Sequence, residues 1–221
     1  MHLEIDVTDV LNARPGKHQV DVSIGTWSDP AGAVTGSAGG WNVSARFELV
    51  PGAAPRKVLG VVPLFDGSDT GATLAAIPFE VPAGTASTRI EYRVTGHGAA
   101  SAGGCGGPAE EFCIRTHDIY VDGKLAQSVQ PWRDDCATLC TLAHQDNSSG
   151  GFDYCKENPC GAIQSVKAPR ANWCPGSLTP PFVWALPELT SPGAHDFSWK
   201  VDEIASGGSW RVSAAFFAFA P

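Results

Sequence analysis

The residues able to do chemistry crowd the middle of this chain. All seven cysteines fall between Cys105 and Cys174, in a stretch punctuated by glycine clusters at 103–107 and 150–151. Thiols grouped in loop-rich sequence usually become disulfides of an exported protein. A zinc reading lacks the paired Cys-x-x-Cys spacing of structural sites. Glu111, with Glu110 and Ala109, ends a loop in the same region, and its carboxylate could orient or activate water. Its plain counterpart is a solvated glutamate pair. Arg115 and His117 stand two apart, so a strand places them on one face. For both, a hydrogen bond to a neighbouring loop is a stronger reading than catalysis.

Such residues need elements to hold them, and the sequence offers strands. Val20, Val22 and Ile24 alternate with polar neighbours, as do Trp41, Val43, Ala45, Phe47 and Leu49. Ile90, Tyr92 and Val94, and later Phe197, Trp199 and Val201, repeat the same period of two, the mark of a half-buried strand. The run 210–220 is apolar on both faces near Phe216 and Phe217, which predicts a central strand. Trp184, Trp199 and Trp210 lie on strand-like segments and read as core. Helix signals are weak; residues 6–11 could make a turn or two. The 25 glycines and 17 prolines suit many short strands, and the fold class predicted is an all-β sandwich. The strand-rich opening ends near Phe65, and residues 66–71 read as a polar, glycine-bearing linker.

Charge and hydropathy narrow the partners. A net charge of −8 argues against nucleic acid or an anionic membrane surface, both of which attract basic proteins. No apolar run approaches the roughly 18–20 residues a membrane span needs. The opening Met1-His2-Leu3-Glu4-Ile5-Asp6 lacks the basic and apolar regions of a signal peptide. Set beside the cysteines, this makes Met1 an expected internal boundary of a secreted, periplasmic or cell-surface protein.

Four stretches occur in the order found in one family. They are Leu3-Glu4-Ile5-Asp6-Val7-Thr8-Asp9 with Thr26-Trp27 beyond it, Glu111-Phe112-Cys113-Ile114-Arg115-Thr116-His117 behind Cys105, then Cys136, then Arg170-Ala171-Asn172-Trp173-Cys174-Pro175-Gly176. The Cys-x-Arg-Thr-His and Trp-Cys-Pro-Gly strings are the specific ones. On these residues the chain resembles the peptide-N-glycosidase F family. The resemblance implies two side-by-side jelly rolls and hydrolysis of the amide joining an N-glycan to asparagine, with no metal or other cofactor. It begins inside the family's first jelly roll, and the aspartate thought to do the main work lies in the part without counterpart. The expected division is a remnant of that first jelly roll at 1–66 and a complete second one at 70–221. An upstream segment or partner chain would then supply the missing strands, unless the remnant packs differently.

The same resemblance distributes roles. Glu111 and Arg170 take catalytic positions in the cleft, and Trp27 and Trp173 take sugar-binding ones. Gly25 stands where a glutamate is expected and His97 where a tryptophan is, so two useful side chains are replaced. Trp132, ahead of Arg133-Asp134-Asp135-Cys136, could stack a sugar or cap the core beside a surface ion pair. The implied disulfides are Cys105–Cys113 and Cys136–Cys174, each worth roughly 2–4 kcal/mol through restriction of the unfolded chain. Cys140, Cys155 and Cys160 fall outside the family pattern; Cys155–Cys160 and Cys140–Cys155 are both open. The shared architecture also occurs in copper monooxygenases, which need His-x-His and methionine ligands. His2, His18, His97, His117, His144 and His195 are far apart and Met1 is the sole methionine, so copper chemistry is not expected. Two functions follow: part of a glycan amidase, incomplete for catalysis as it stands, or a non-catalytic module binding glycan or protein.

Overall fold

The computed structural model describes residues 2–23, 42–71, 73–98, 105, 109–146, 148, 150–158 and 162–221. Two antiparallel four-stranded sheets pack face to face. The first joins β1 (Val58–Asp69), β10 (Ser209–Phe219), β3 (Ser87–His97) and β8 (Phe182–Ala185), in that order. The second joins β2 (Ile77–Val81), β9 (Gly193–Val201), β4 (His117–Val121) and β5 (Lys124–Val129). A separate hairpin pairs β6 (Leu142–Gln145) with β7 (Phe152–Cys155). Three short helices complete the set: α1 (Thr8–Ala13), α2 (Cys136–Leu139) and α3 (Ile163–Lys167). This is a jelly-roll sandwich. Among the described residues no helix is long and apolar enough to cross a membrane.

Alternation explains the core. Ile90, Tyr92 and Val94 on β3 and Trp210, Val212, Ala214 and Phe216 on β10 point inward, where they meet Ile119, Phe197, Trp199 and Val201 of the other sheet. Trp199 and Trp210 are fully buried, whereas Trp184 is half-buried on the edge strand β8 and stacks on Tyr92. β10 is central, between β1 and β3, so its second face also needs cover. Phe217 and Phe219 find it under two guanidiniums, Arg89 lying 4.3 Å from the Phe217 ring and Arg56 4.2 Å from that of Phe219. Asp9 of α1 grips both arginines and so fastens the opening segment to the sandwich.

Two expectations change. Residues 17–23 and 42–57 contain no strand, and Val20, Val22, Val43, Phe47 and Leu49 are exposed. Alternation makes a strand only beside a hydrogen-bonding neighbour, and no described element lies alongside these residues. Ile24 and Trp41 lie outside the described residues. The linker expected at 66–71 is largely strand, because β1 runs on to Asp69 with Asp66 opposite Ser213 and Asp69 opposite Trp210. Main-chain pairing with β10 does not depend on side-chain polarity; Asp66 and Ser68 face outward, and Asp69 accepts a hydrogen bond from the buried Trp199 Nε1 at 3.2 Å.

Candidate functional site

Three separated segments meet at one end of the first sheet: the end of β3, a 3-10 turn at Glu110–Phe112, and residues 170–174. The turn is anchored by Glu110, whose carboxylate is fully buried and accepts four hydrogen bonds. Oε1 takes Arg115 Nε at 3.0 Å and Trp210 Nε1 at 3.0 Å; Oε2 takes Arg115 Nη2 at 3.1 Å and the Ala205 amide at 2.9 Å. Arg115 also pairs with Glu203. With Glu110 fixed inward, Glu111 turns the other way.

The 170–174 segment is stitched to its neighbours through the main chain. Arg170 exchanges both backbone hydrogen bonds with Arg133, the Ala171 amide donates to Glu111 O at 2.7 Å, and the Gly96 amide donates to Ala171 O at 3.1 Å. A side chain at Gly96 would put its Cβ 2.6 Å from that of Ala171, so the close approach requires glycine there. Asn172 holds a left-handed conformation (φ 62°) and donates through Nδ2 to Val94 O at 2.9 Å. Trp173 Nε1 donates to Gly96 O at 2.9 Å, which fixes the indole. Cys136–Cys174 closes the segment from the far side.

The side chains converge accordingly. Arg170 is only 3% exposed, with its guanidinium 4.5 Å from the Trp173 ring centroid and 5.1 Å from that of Phe112. Its Nη2 donates to the Ser165 carbonyl within α3, while Nη1 lies 3.6 Å from Glu111 Oε1. Burial pushes the Glu111 carboxyl above its ordinary pKa, with Arg170 opposing, and burial lowers the Arg170 pKa, with Glu111 opposing. Desolvation outweighs mutual attraction on both sides, consistent with a loose ion pair. His97 packs on Trp173 at 5.1 Å between ring centroids, and its Nε2 shares a 2.7 Å hydrogen bond with Thr95 Oγ1. Burial, then Arg170, lower its pKa.

The structure thus brings Glu111, Arg170, Trp173 and His97 together. Trp132 is half-buried beside Arg133, and among the described residues no ring contact joins it to the cluster. Arg133 is instead engaged with Asp135 in a two-pronged ion pair at 2.8 and 2.7 Å. Trp27 and Gly25 lie outside the described residues. Arg115 serves Glu110, and His117 is buried against Trp210 with Nδ1 2.9 Å from Tyr92 Oη. Burial pushes the His117 pKa down to about 3, opposed by Asp118, and its Nε2 has no partner among the described residues. Sequence reasoning missed Glu110, because its partners lie up to a hundred residues away. Cys105–Cys113 and Cys136–Cys174 are present, and Cys140–Cys155 is the third pair; Cys160 lies outside the described residues. The two groupings with metal-like spacing, around Glu110 and around Asp135, each contain a disulfide, whose sulfurs are not thiolate ligands. A cavity of about 320 Å³ between α1 and the outer face of β3 shares no lining residue with the cluster.

The chain is thus a jelly-roll sandwich that carries a carboxylate, a guanidinium and aromatic rings at one end. The family described as "Peptide-N-glycosidase F, C terminal" matches residues 68–217, and the chain belongs to that family. Among solved structures it is similar to PNGF-II, with 25% identity, TM-score 0.52, and coverage of 74% of this chain and 30% of that one. It is also similar to PNGase F, a glycosylasparaginase from Flavobacterium meningosepticum, with 17% identity, TM-score 0.55, and coverage of 77% and 55%. A structure of peptide-N(4)-(N-acetyl-beta-D-glucosaminyl) asparagine amidase matches at 20% identity and TM-score 0.54, covering 77% and 55%. The chain therefore spans from under a third to just over half the length of these relatives. Curated protein sequences return no match.

Proposed function

We propose that this chain supplies one wall of an N-glycan cleft of the glycan–asparagine amidase type, and that by itself it binds glycan rather than cleaving it. The observation that carries the reading is the convergence of Glu111, Arg170, Trp173 and His97 from three distant segments. Amide hydrolysis adds water to the asparagine side-chain carbonyl and expels the glycosylamine, leaving aspartate. Glu111, its carboxyl pKa raised by burial, suits proton exchange with that water. Arg170 can direct Nη1 at a carbonyl or hydroxyl oxygen, while Nη2 stays on Ser165. Trp173 and His97 offer ring surface to the sugar.

Turnover is withheld because no second described carboxylate shares this role with Glu111. Among the described residues the neighbouring carboxylates are committed: Glu110 to four donors and Asp135 to Arg133. A second acid would come from an upstream segment or a partner chain. Incubation with a denatured N-glycoprotein tests this, read by gel shift and by the Asn-to-Asp mass gain, beside calorimetric titration with di-N-acetylchitobiose. Chitobiose binding without release is expected. Release with Asn-to-Asp conversion would overturn the incomplete-site reading; no binding would overturn the cleft itself.

A further inference from the structure

We propose that His97 sets the specificity of this cleft, its neutral imidazole alone accepting the sugar's hydroxyl or acetamido group. The inference deepens the function proposed above and rests on it. The geometry comes first. Thr95 Oγ1 engages Nε2 at 2.7 Å, the ring packs 5.1 Å from Trp173 at 35° between planes, and the Arg170 guanidinium lies 4.5 Å from the same indole. In the tautomer whose Nε2–H donates to Thr95 Oγ1, Nδ1 is left as the acceptor for the ligand. A neutral imidazole carries one donor and one acceptor nitrogen, whereas protonation makes both donors. The protonated ring could not accept from a hydroxyl, and it would add a second positive charge beside Arg170.

The surroundings offer that charge little compensation. Glu111 faces the site from the 3-10 turn but is paired loosely with Arg170. Glu110 lies beneath, held by Arg115, Trp210 and Ala205. On β10, Ser209 stands opposite His97, and Arg211, opposite Thr95, is tied to Asp66. Residues 99–104 and 106–108 contain no ionisable side chain. Burial, followed by Arg170, already holds the imidazole below its ordinary pKa. Protonation of Glu111 at acid pH would remove a further opposing charge.

The test is calorimetric titration with di-N-acetylchitobiose from pH 8 to 4.5, on the wild-type chain, Glu111→Gln and His97→Gln. A parallel NMR titration follows the His97 ring with and without chitobiose. In the wild type, Kd should rise about tenfold per pH unit once pH falls below the imidazole pKa, because only the neutral fraction binds. That acid step should persist in Glu111→Gln and vanish in His97→Gln, and chitobiose should lower the His97 pKa by reciprocity. An acid step that survives in His97→Gln, or a His97 titration unmoved by ligand, overturns the inference while glycan binding stands. Wild-type protein that binds at no pH overturns the cleft reading and this inference with it. Should His97→Gln fail to fold, the wild-type NMR titration decides alone.

Discussion

Replacing Glu110 with glutamine tests whether the 3-10 turn hangs on one buried carboxylate. The substitution keeps shape and volume and removes only charge and one acceptor. Each oxygen now receives two N–H donors: Arg115 Nε and Trp210 Nε1 on Oε1, Arg115 Nη2 and the Ala205 amide on Oε2. Whichever way the new amide turns, its NH2 confronts two donors, and Arg115 retains only the exposed Glu203 as counter-ion. Breaking a buried ion pair from one side costs about 3–5 kcal/mol, since the surviving charge stays buried. For a sandwich of this size that lowers Tm by about 10 °C. Glu111→Gln, one residue on, is the matched control; its carboxylate is 22% exposed and 3.6 Å from Arg170, which keeps the Ser165 carbonyl, so its loss should be the smaller of the two. Urea unfolding of both variants under non-reducing conditions gives the comparison. A Glu110→Gln loss under about 1 kcal/mol, or equal losses for the two, would refute the anchoring argument.

Other outcomes follow from the same structure. His117 has a folded pKa of about 3 against an ordinary value near 6.5, so the unfolded chain binds more protons between them. Its contribution is complete above pH 6.5 and is lost on acidification, by about 2 kcal/mol between pH 7 and 5; denaturant titrations at each pH should show that slope, and His117→Phe should flatten it. Gly96→Ala forces a Cβ to 2.6 Å from that of Ala171, and an overpacking cost of about 1–3 kcal/mol should appear in thermal melts together with weaker chitobiose binding. Cys140→Ser with Cys155→Ser opens a loop spanning 15 positions and should cost about 3 kcal/mol, read as a lower urea midpoint without loss of the sandwich's circular dichroism.

What the sequence revealed depended on how local each signal was. β3, β9 and β10 were legible because burial alternates within a few residues, and β10's two-faced apolarity announced its central place. The same alternation misled at 17–23 and 42–50, since a pattern records which side could be buried but not whether a neighbour exists to pair with. The polar end of β1 hid a strand for the converse reason: its pairing is made by backbone, to residues some 140 positions later. Short strings carried the cluster around Glu111, Arg170 and Trp173. Glu110, adjacent to one of those strings, was invisible because Trp210 and Ala205 reach it only through tertiary folding.

The strand that joins β1 to β3 in the first sheet comes after both of them in the sequence. β1 and β3 both pair with β10 and are held apart by it, so until residues 209–219 have been synthesised neither has its long partner. A growing polypeptide must therefore carry β1 and β3, each with one apolar face, without their shared partner until those residues emerge. Late, long-range pairing of this kind slows folding and leaves sticky edges available to other chains. Removal of residues 209–219 would part the first sheet between β1 and β3.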